Sequence, residues 1–92
     1  MEKDKAKAVL EAILFTMGDS VEIDRLAAVI EEDKDTTKKL LEEMAKDYQK
    51  EDRGIGLTTF ENAVQMCTKS ALYEYLIKIA KTPKKFVLTD TL

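Results

Sequence analysis

Three amphipathic helical segments, then two short alternating strands around a tight turn, then a closing helical segment predict an α+β winged helix. The deciding stretch is Arg53 to Thr68, R-G-I-G-L-T-T-F-E-N-A-V-Q-M-C-T, the one part of the sequence that reads as β-structure. Within it, Leu57–Glu61 and Val64–Thr68 alternate apolar and polar residues about the turn pair Asn62-Ala63. Winged helices grip DNA or grip other proteins, so the functional question narrows to which.

The first helical segment runs from about Asp4 to Met17. Ala6, Val9, Leu10, Ile13, Leu14 and Met17 recur at helical spacing and make one face. Gly18 ends it as a C-terminal cap, and Asp19-Ser20 continue the turn. A short strand near Ser20-Val21, paired with the wing, would complete a small sheet. The second segment, Ile23 to Ile30, buries Ile23, Leu26, Ala27 and Ile30, with Asp24 placing negative charge in the first turn. Residues 31–34 form a polar connection. Asp35 then reads as the N-cap of a third helix over residues 36–50, with an apolar stripe of Leu40, Leu41, Met44, Ala45 and Tyr48. Gly54 and Gly56 break into the ribbon. A fourth helix takes Ser70 as N-cap and residues 71–80 as body, Lys78 and Lys81 suiting the negative end of its dipole. Pro83 lies past its end. The tail Phe86–Leu92 reads as the opening of another element, since Thr89 could cap a new helix and Leu88 and Leu92 are four apart. The winged-helix domain is therefore expected over residues 1–82, with a linker and the start of a truncated second winged helix over 83–92.

Composition narrows the function. The 92 residues suit one small domain, and 45% apolar with 36% charged content suits helices with solvated outer faces. No apolar run approaches the ~20 residues that cross a bilayer. The charged N-terminus, Met1 to Lys7, leads straight into a helix with no apolar signal region behind it, and the single cysteine, Cys67, has no internal disulfide partner. A cytoplasmic protein with no membrane association is expected. The absence of histidine removes Ser-His, Cys-His and His-metal chemistry, and with one cysteine few transition-metal ligands remain. The acidic side chains are scattered along solvated faces, with no converging acid/base pair, and Gly54-Ile55-Gly56 has neither the spacing nor the following helix of a phosphate loop. No catalysis, metal or cofactor is expected.

Charge also bears on DNA. The net charge is −3 and the isoelectric point lies near 5.0, whereas nucleic-acid binders carry a basic face. On the third helix, Lys39, Lys46 and Lys50 share the exposed side with Glu42, Glu43 and Asp47, a mixture that reads as cancelling. The wing tip, Glu61-Asn62-Ala63, is acidic where DNA-binding wings carry Arg or Lys. A basic cluster of Lys78, Lys81, Lys84 and Lys85, with Lys69, reads as a helix end and solvated linker.

Surplus apolar surface points to protein partners. Ala8, Ala12 and Phe15 form a second stripe on the first helix, opposite its core face. On the fourth helix Leu72, Tyr75, Leu76 and Ile79 read as core, and Tyr73, Ile77 and Ala80 widen the apolar arc to about half the wheel. A domain this small can hardly bury both sides of two helices, so Ala8, Ala12, Phe15, Tyr73, Ile77 and Ala80 are the candidate interface, a two-fold homodimer contact.

The residues also resemble a family. Glu11-Ala12-Ile13-Leu14-Phe15, the turn Gly18-Asp19-Ser20-Val21 and the run Leu26-Ala27-Ala28-Val29-Ile30 are similar to the opening of the bacterial segregation and condensation protein B family. So are Arg53-Gly54-Ile55-Gly56-Leu57, Val64-Gln65-Met66-Cys67-Thr68 and Pro83-Lys84-Lys85 before Leu88-Thr89. The resemblance implies the first of two tandem winged-helix domains in a non-catalytic accessory subunit of the bacterial condensin. Such a subunit joins a kleisin (ScpA-like) and an SMC ATPase in chromosome condensation and segregation. The resemblance also implies that the first domain takes part in homodimer formation and that the second grips the kleisin. Two departures stand out: Glu22 where a serine-type cap is common, and Asn62-Ala63 in place of a Gly-Gly turn, which Ala63 fits poorly. The alternatives are a winged-helix DNA-binding transcriptional regulator and a structural adaptor within a larger enzyme assembly.

Overall fold

In the computed structural model, which describes residues 1–80, the chain runs α1 (Lys3–Met17), β1 (Val21–Glu22), α2 (Ile23–Ile30), α3 (Lys34–Asp47), β2 (Ile55–Thr59) and β3 (Ala63–Thr68). A 3-10 turn (Ser70–Leu72) and α4 (Tyr73–Ala80) follow. The expected linker and opening of a second domain, residues 83–92, lie outside the described residues, as do Lys81, Lys84 and Lys85 of the basic cluster.

The three strands form an antiparallel sheet in the order β1-β3-β2. Val21 pairs with Val64 and Glu22 with Ala63, placing the first strand one residue beyond the expected Ser20-Val21. The N–H of Ile23 donates to the Asn62 carbonyl at 2.8 Å, so the wing is tied to the start of α2. With three helices before the hairpin and a fourth after it, this is the winged-helix order.

The core gathers Ala6, Leu10 and Leu14 of α1, Leu26 and Ile30 of α2, Leu40, Leu41 and Met44 of α3, and Val21 and Val64 of the sheet. Val9, Ile13, Leu57 and Met66 pack against it half-buried. Met17, expected on the core face of α1, is half-exposed, because the helix ends there and leaves the stripe behind. Gly18 stops α1 as predicted: its φ is 69° and its N–H donates to the Leu14 carbonyl. The second helix has the predicted bounds and buries the four predicted residues.

Other boundaries differ from expectation as well. The N-cap of α3 is Asp33 and not Asp35: the Asp33 carboxylate accepts from the Thr36 N–H at 2.7 Å. Its carbonyl accepts from the buried Thr37 hydroxyl at 2.9 Å. The earlier aspartate wins because only it meets free N–H groups three residues on. The helix also stops at Asp47, with Tyr48 as C-cap, short of the expected Lys50.

The wing turn is shifted. Thr59 pairs with Val64, and the Phe60 N–H donates to the Ala63 carbonyl at 2.7 Å. Glu61 and Asn62 are therefore the two central residues, and β2 covers 55–59 instead of 57–61. Among the described non-glycine residues only Glu31 has positive φ, so Ala63 is not asked to adopt a left-handed conformation. The conflict read from Asn62-Ala63 disappears.

The start of the last helix differs too. Ser70 does not cap it; a 3-10 turn intervenes, and α4 begins at Tyr73. Leu72 is half-buried, but Tyr75, Leu76 and Ile79, expected in the core, are exposed. The core is already filled by α1–α3 and the sheet, so among the described residues nothing covers the inner face of α4.

Candidate protein interface

On α1, Ala8, Ala12 and Phe15 lie on the side away from the buried Ala6-Leu10-Leu14 line, and all three are exposed. Phe15 is 76% exposed. Together they line one part of an open groove of about 460 Å³, which Gly54, Ile55 and Met66 line from the ribbon. Burying a side chain like Phe15 is worth roughly 1.5–3 kcal/mol, so leaving it in water is unfavourable by the same amount.

Beside this groove the buried Tyr48 hydroxyl donates to the Glu11 carboxylate at 2.6 Å. Burial, and then the carboxylate of Glu11, push the Tyr48 phenol well above its ordinary value. The two helices are clamped again nearer the α1 N-terminus. The ammonium groups of Lys7 and Lys3 meet Glu43 at 2.8 and 3.1 Å. These contacts hold the Glu43 carboxyl below the usual carboxylate range, mainly through the hydrogen bond from Lys7.

The other half of the expected interface is placed apart from the first. Tyr73 and Ile77 are exposed on α4, at 60% and 45%, and neither lines the α1 groove. Nothing is described of the Ala80 side chain. The root of α4 does lie near the groove: Leu72 Cδ1 is 3.5 Å from where a Cβ on Gly54 would stand. Beyond it, the Lys78 ammonium sits 5.5 Å from the Tyr75 ring centre. With Tyr75, Leu76 and Ile79 also exposed, α4 is apolar on more than one side and, among the described residues, covered on none.

The side facing a would-be nucleic acid is less balanced than the sequence suggests. Glu43, expected to offset the lysines of its own helix, is drawn to α1 instead. Lys38, Lys39 and Lys46 are exposed on α3, as is Lys50 just beyond its end, and none of them makes an ion pair among the described residues. The wing tip stays acidic, with Glu61 exposed and Asn62 Oδ1 accepting from Lys34 Nζ at 3.2 Å. Lys69 Nζ donates to the Lys50 carbonyl at 2.8 Å. Among the described residues no group of three Asp, Glu, Cys or His side chains could hold a metal ion. Cys67 Sγ lies 3.1 Å from Thr58 Oγ1 on the outer sheet face.

One surface feature was not singled out from the sequence. Phe60, 51% exposed, sits with Leu57 of β2 and Leu41 and Ala45 of α3 along a second groove of about 460 Å³ between α3 and the wing. The available signal was an aromatic directly before the hairpin turn, with no room beneath it in a core already supplied by three helices.

Comparison with known proteins decides the family. A family model described as Segregation and condensation complex subunit ScpB matches residues 8–92. The chain belongs to the ScpB family. It is 47% identical over 92 residues to segregation and condensation protein B of Lachnoclostridium phytofermentans, covering 100% of this chain and 49% of that protein. It is 54% identical over 87 residues to the Agathobacter rectalis protein of the same name, covering 94% and 46%. The chain thus spans about half the length of the curated relatives it matches. Among solved structures it is similar to a dimer of ScpB N-terminal domain complexed with ScpA peptide. That match has a TM-score of 0.78 and 35% identity, over 83% of this chain and 95% of that one. ScpB from Mycobacterium tuberculosis is similar with a TM-score of 0.82 and 29% identity, over 89% and 51%. The winged-helix fold is thereby shared with ScpB domains. No helix among the described residues is long and apolar enough to cross a membrane.

Proposed function

We propose that this chain is a protein-assembly module of the bacterial SMC–kleisin condensin complex. It is a non-catalytic accessory subunit that pairs with a second copy and helps hold the kleisin and the SMC ATPase together in chromosome condensation and segregation. It works in the cytoplasm, at the nucleoid. The observation that carries this reading is the uncovered apolar surface of α1 and α4, with Phe15 76% exposed, a pattern that marks interfaces in domains this small. The relative of known structure whose N-terminal domain is a dimer complexed with ScpA peptide supports both the pairing and the kleisin partner. The candidate contact is Ala8, Ala12 and Phe15 of α1, with Tyr73, Ile77 and Ala80 of α4. The lack of histidine supports a non-catalytic role, and the acidic wing tip speaks against the regulator alternative.

Light scattering on the chain and on Phe15→Glu tests the reading. Twice the 10.4 kDa chain mass for the wild type, falling to the single mass in Phe15→Glu, is the expected pair of results. A monomeric wild type removes self-assembly from the function, and an unchanged dimer in the variant removes α1 from the contact.

A further inference from the structure

The two halves of the candidate contact are complementary in shape. Among the described residues ten large apolar side chains are exposed, and six of them are Phe15 of α1 and Tyr73, Tyr75, Leu76, Ile77 and Ile79 of α4. Apolar surface gathered in this way marks an interface, where scattered residues would not. In the groove beside Phe15, Ala8 and Ala12 stand four residues apart on α1 and contribute only methyl groups. On α4, Tyr73 and Ile77, also four apart, are exposed and large. A row of large residues at this spacing on one helix packs into a row of small ones on another. The lengths agree too: from Ala8 to Phe15 α1 rises about 10 Å, and the eight residues of α4 rise about 12 Å.

The helix does not fill the groove of its own chain. No described residue of α4 lines it, although the root of the helix reaches its rim, with Leu72 Cδ1 3.5 Å from where a Cβ on Gly54 would stand. That root is tied down. The Lys69 N–H donates to the Gly54 carbonyl at 3.1 Å, and the Leu72 N–H to the Lys69 carbonyl at 3.0 Å. Because α4 starts at the next residue, Tyr73, folding back over Gly54 would need a chain reversal for which this bonded turn leaves no free residue.

A second copy supplies both missing halves at once, a helix for the groove and a groove for the helix. A foreign partner would have to carry both. The area is sufficient. Taking roughly 150–250 Å² for a whole aromatic side chain and somewhat less for Leu or Ile, the exposed fractions of the six residues amount to about 700 Å² per copy. Covered in both copies this is about 1,400 Å², within the roughly 1,200–2,000 Å² of a specific interface.

We infer that two copies pair reciprocally: α4 of each lies in the Ala8-Ala12-Phe15 groove of the other, with Tyr73 and Ile77 entering it, so that one kind of contact is made twice about a two-fold axis. The groove is then a site that one chain leaves incomplete and the second copy's helix completes. This rests on the pairing reading of the chain and specifies which surfaces meet.

The test is disulfide trapping in a Cys67→Ser background, which removes the native thiol, with Ala12→Cys in one copy and Ile77→Cys in the other. Both positions are exposed, so neither change touches the core. A linked dimer on a non-reducing gel is expected from the mixture and from neither variant alone. Self-linking of Ala12→Cys would set α1 against α1, self-linking of Ile77→Cys would set α4 against α4, and either overturns the inference. Both cysteines in one chain should link between chains; a monomer with an internal disulfide overturns it in favour of fold-back. Phe15→Glu and Ile77→Glu each spoil both copies of the contact and should weaken pairing alike, by about a hundredfold or more in light scattering on dilution. A loss confined to Phe15→Glu means that α4 is not the occupant. A wild-type dimer whose mixed cysteine variants do not link overturns the reciprocal contact and leaves pairing standing, whereas a monomeric wild type removes the pairing reading itself and this inference with it.

Discussion

The Tyr48 hydroxyl and the Glu11 carboxylate meet at 2.6 Å across the α1–α3 seam. Tyr48 is the C-cap of α3, and Glu11 stands beside the exposed Ala8-Ala12 stripe, so this bond fixes the depth at which the apolar groove is presented. Tyr48→Phe keeps the packing and removes the bond, which should cost about 1 kcal/mol in urea unfolding. The pH dependence discriminates further. A phenol whose folded pKa lies above its ordinary value of 10.0 lends stability that is fully present below that pH and is lost as pH climbs beyond it. The gap between wild type and Tyr48→Phe should accordingly close in alkaline unfolding curves above about pH 10. A constant gap would mean that the phenol is not held by its burial and by Glu11.

Gly18 should tolerate little else. A Cβ there would meet nothing within 4 Å, so space is free and only the backbone, at φ 69°, resists. Gly18→Val should cost about 1–2 kcal/mol in thermal or urea unfolding, and Gly18→Asn distinctly less, because asparagine visits the left-handed region more readily. Equal losses would point to something other than backbone conformation.

The two aspartates at the start of α3 should separate cleanly. Asp33→Ala should destabilise more than Asp35→Ala, because only Asp33 accepts the Thr36 N–H. The hydrogen bonds from Thr36 hold the Asp33 carboxyl below the usual carboxylate range. A depressed carboxyl contributes stability that is present above its unfolded value and lost as pH falls through its folded one. The penalty of Asp33→Ala should therefore shrink in acid, and Asp33→Asn should keep the cap while flattening that acid dependence. Thermal melts across the acid range measure both.

Much of the fold was legible because the periodicities were strong. The second helix was bounded correctly from Ile23, Leu26, Ala27 and Ile30, and Gly18 announced its own cap. What escaped was decided by atoms the sequence does not order. Asp33 and Asp35 are equally good cap residues in isolation, and only the position of Thr36 chooses between them. The wing turn moved to Glu61-Asn62 because the ladder register, set by Val64 in the core, outweighed the local preference of Asn62-Ala63. Tyr75, Leu76 and Ile79 looked like core because a helical stripe does not reveal whether a partner surface exists in the same domain. Of the candidate interface, Ala8, Ala12 and Phe15 were legible as a stripe facing away from Leu10 and Leu14. The groove beside Phe60 was not, since it arises from α3 and β2 coming together across the chain.

DNA binding is the outcome that most sharply divides the readings. Lys38, Lys39 and Lys46 of α3, and Lys50 just past its end, are exposed without ion-pair partners among the described residues, and Glu43 is engaged by Lys3 and Lys7. A weak, sequence-independent attraction to phosphate follows from that face. The wing opposes it, since Glu61 is exposed beside Asn62, where DNA-binding wings place a cation. Each phosphate neutralised contributes about −0.9 to the slope of log affinity against log salt, so fewer than four productive lysines give a shallow slope and little affinity to lose. Fluorescence anisotropy with random duplex DNA should show binding at ~20 mM salt that is gone near ~150 mM. Glu61→Lys should strengthen the low-salt binding and steepen its slope by about one phosphate contact. Binding by the wild type that survives near-physiological salt would mean that α3 works as a nucleic-acid face despite the acidic tip, and the assembly reading would give way to the regulator.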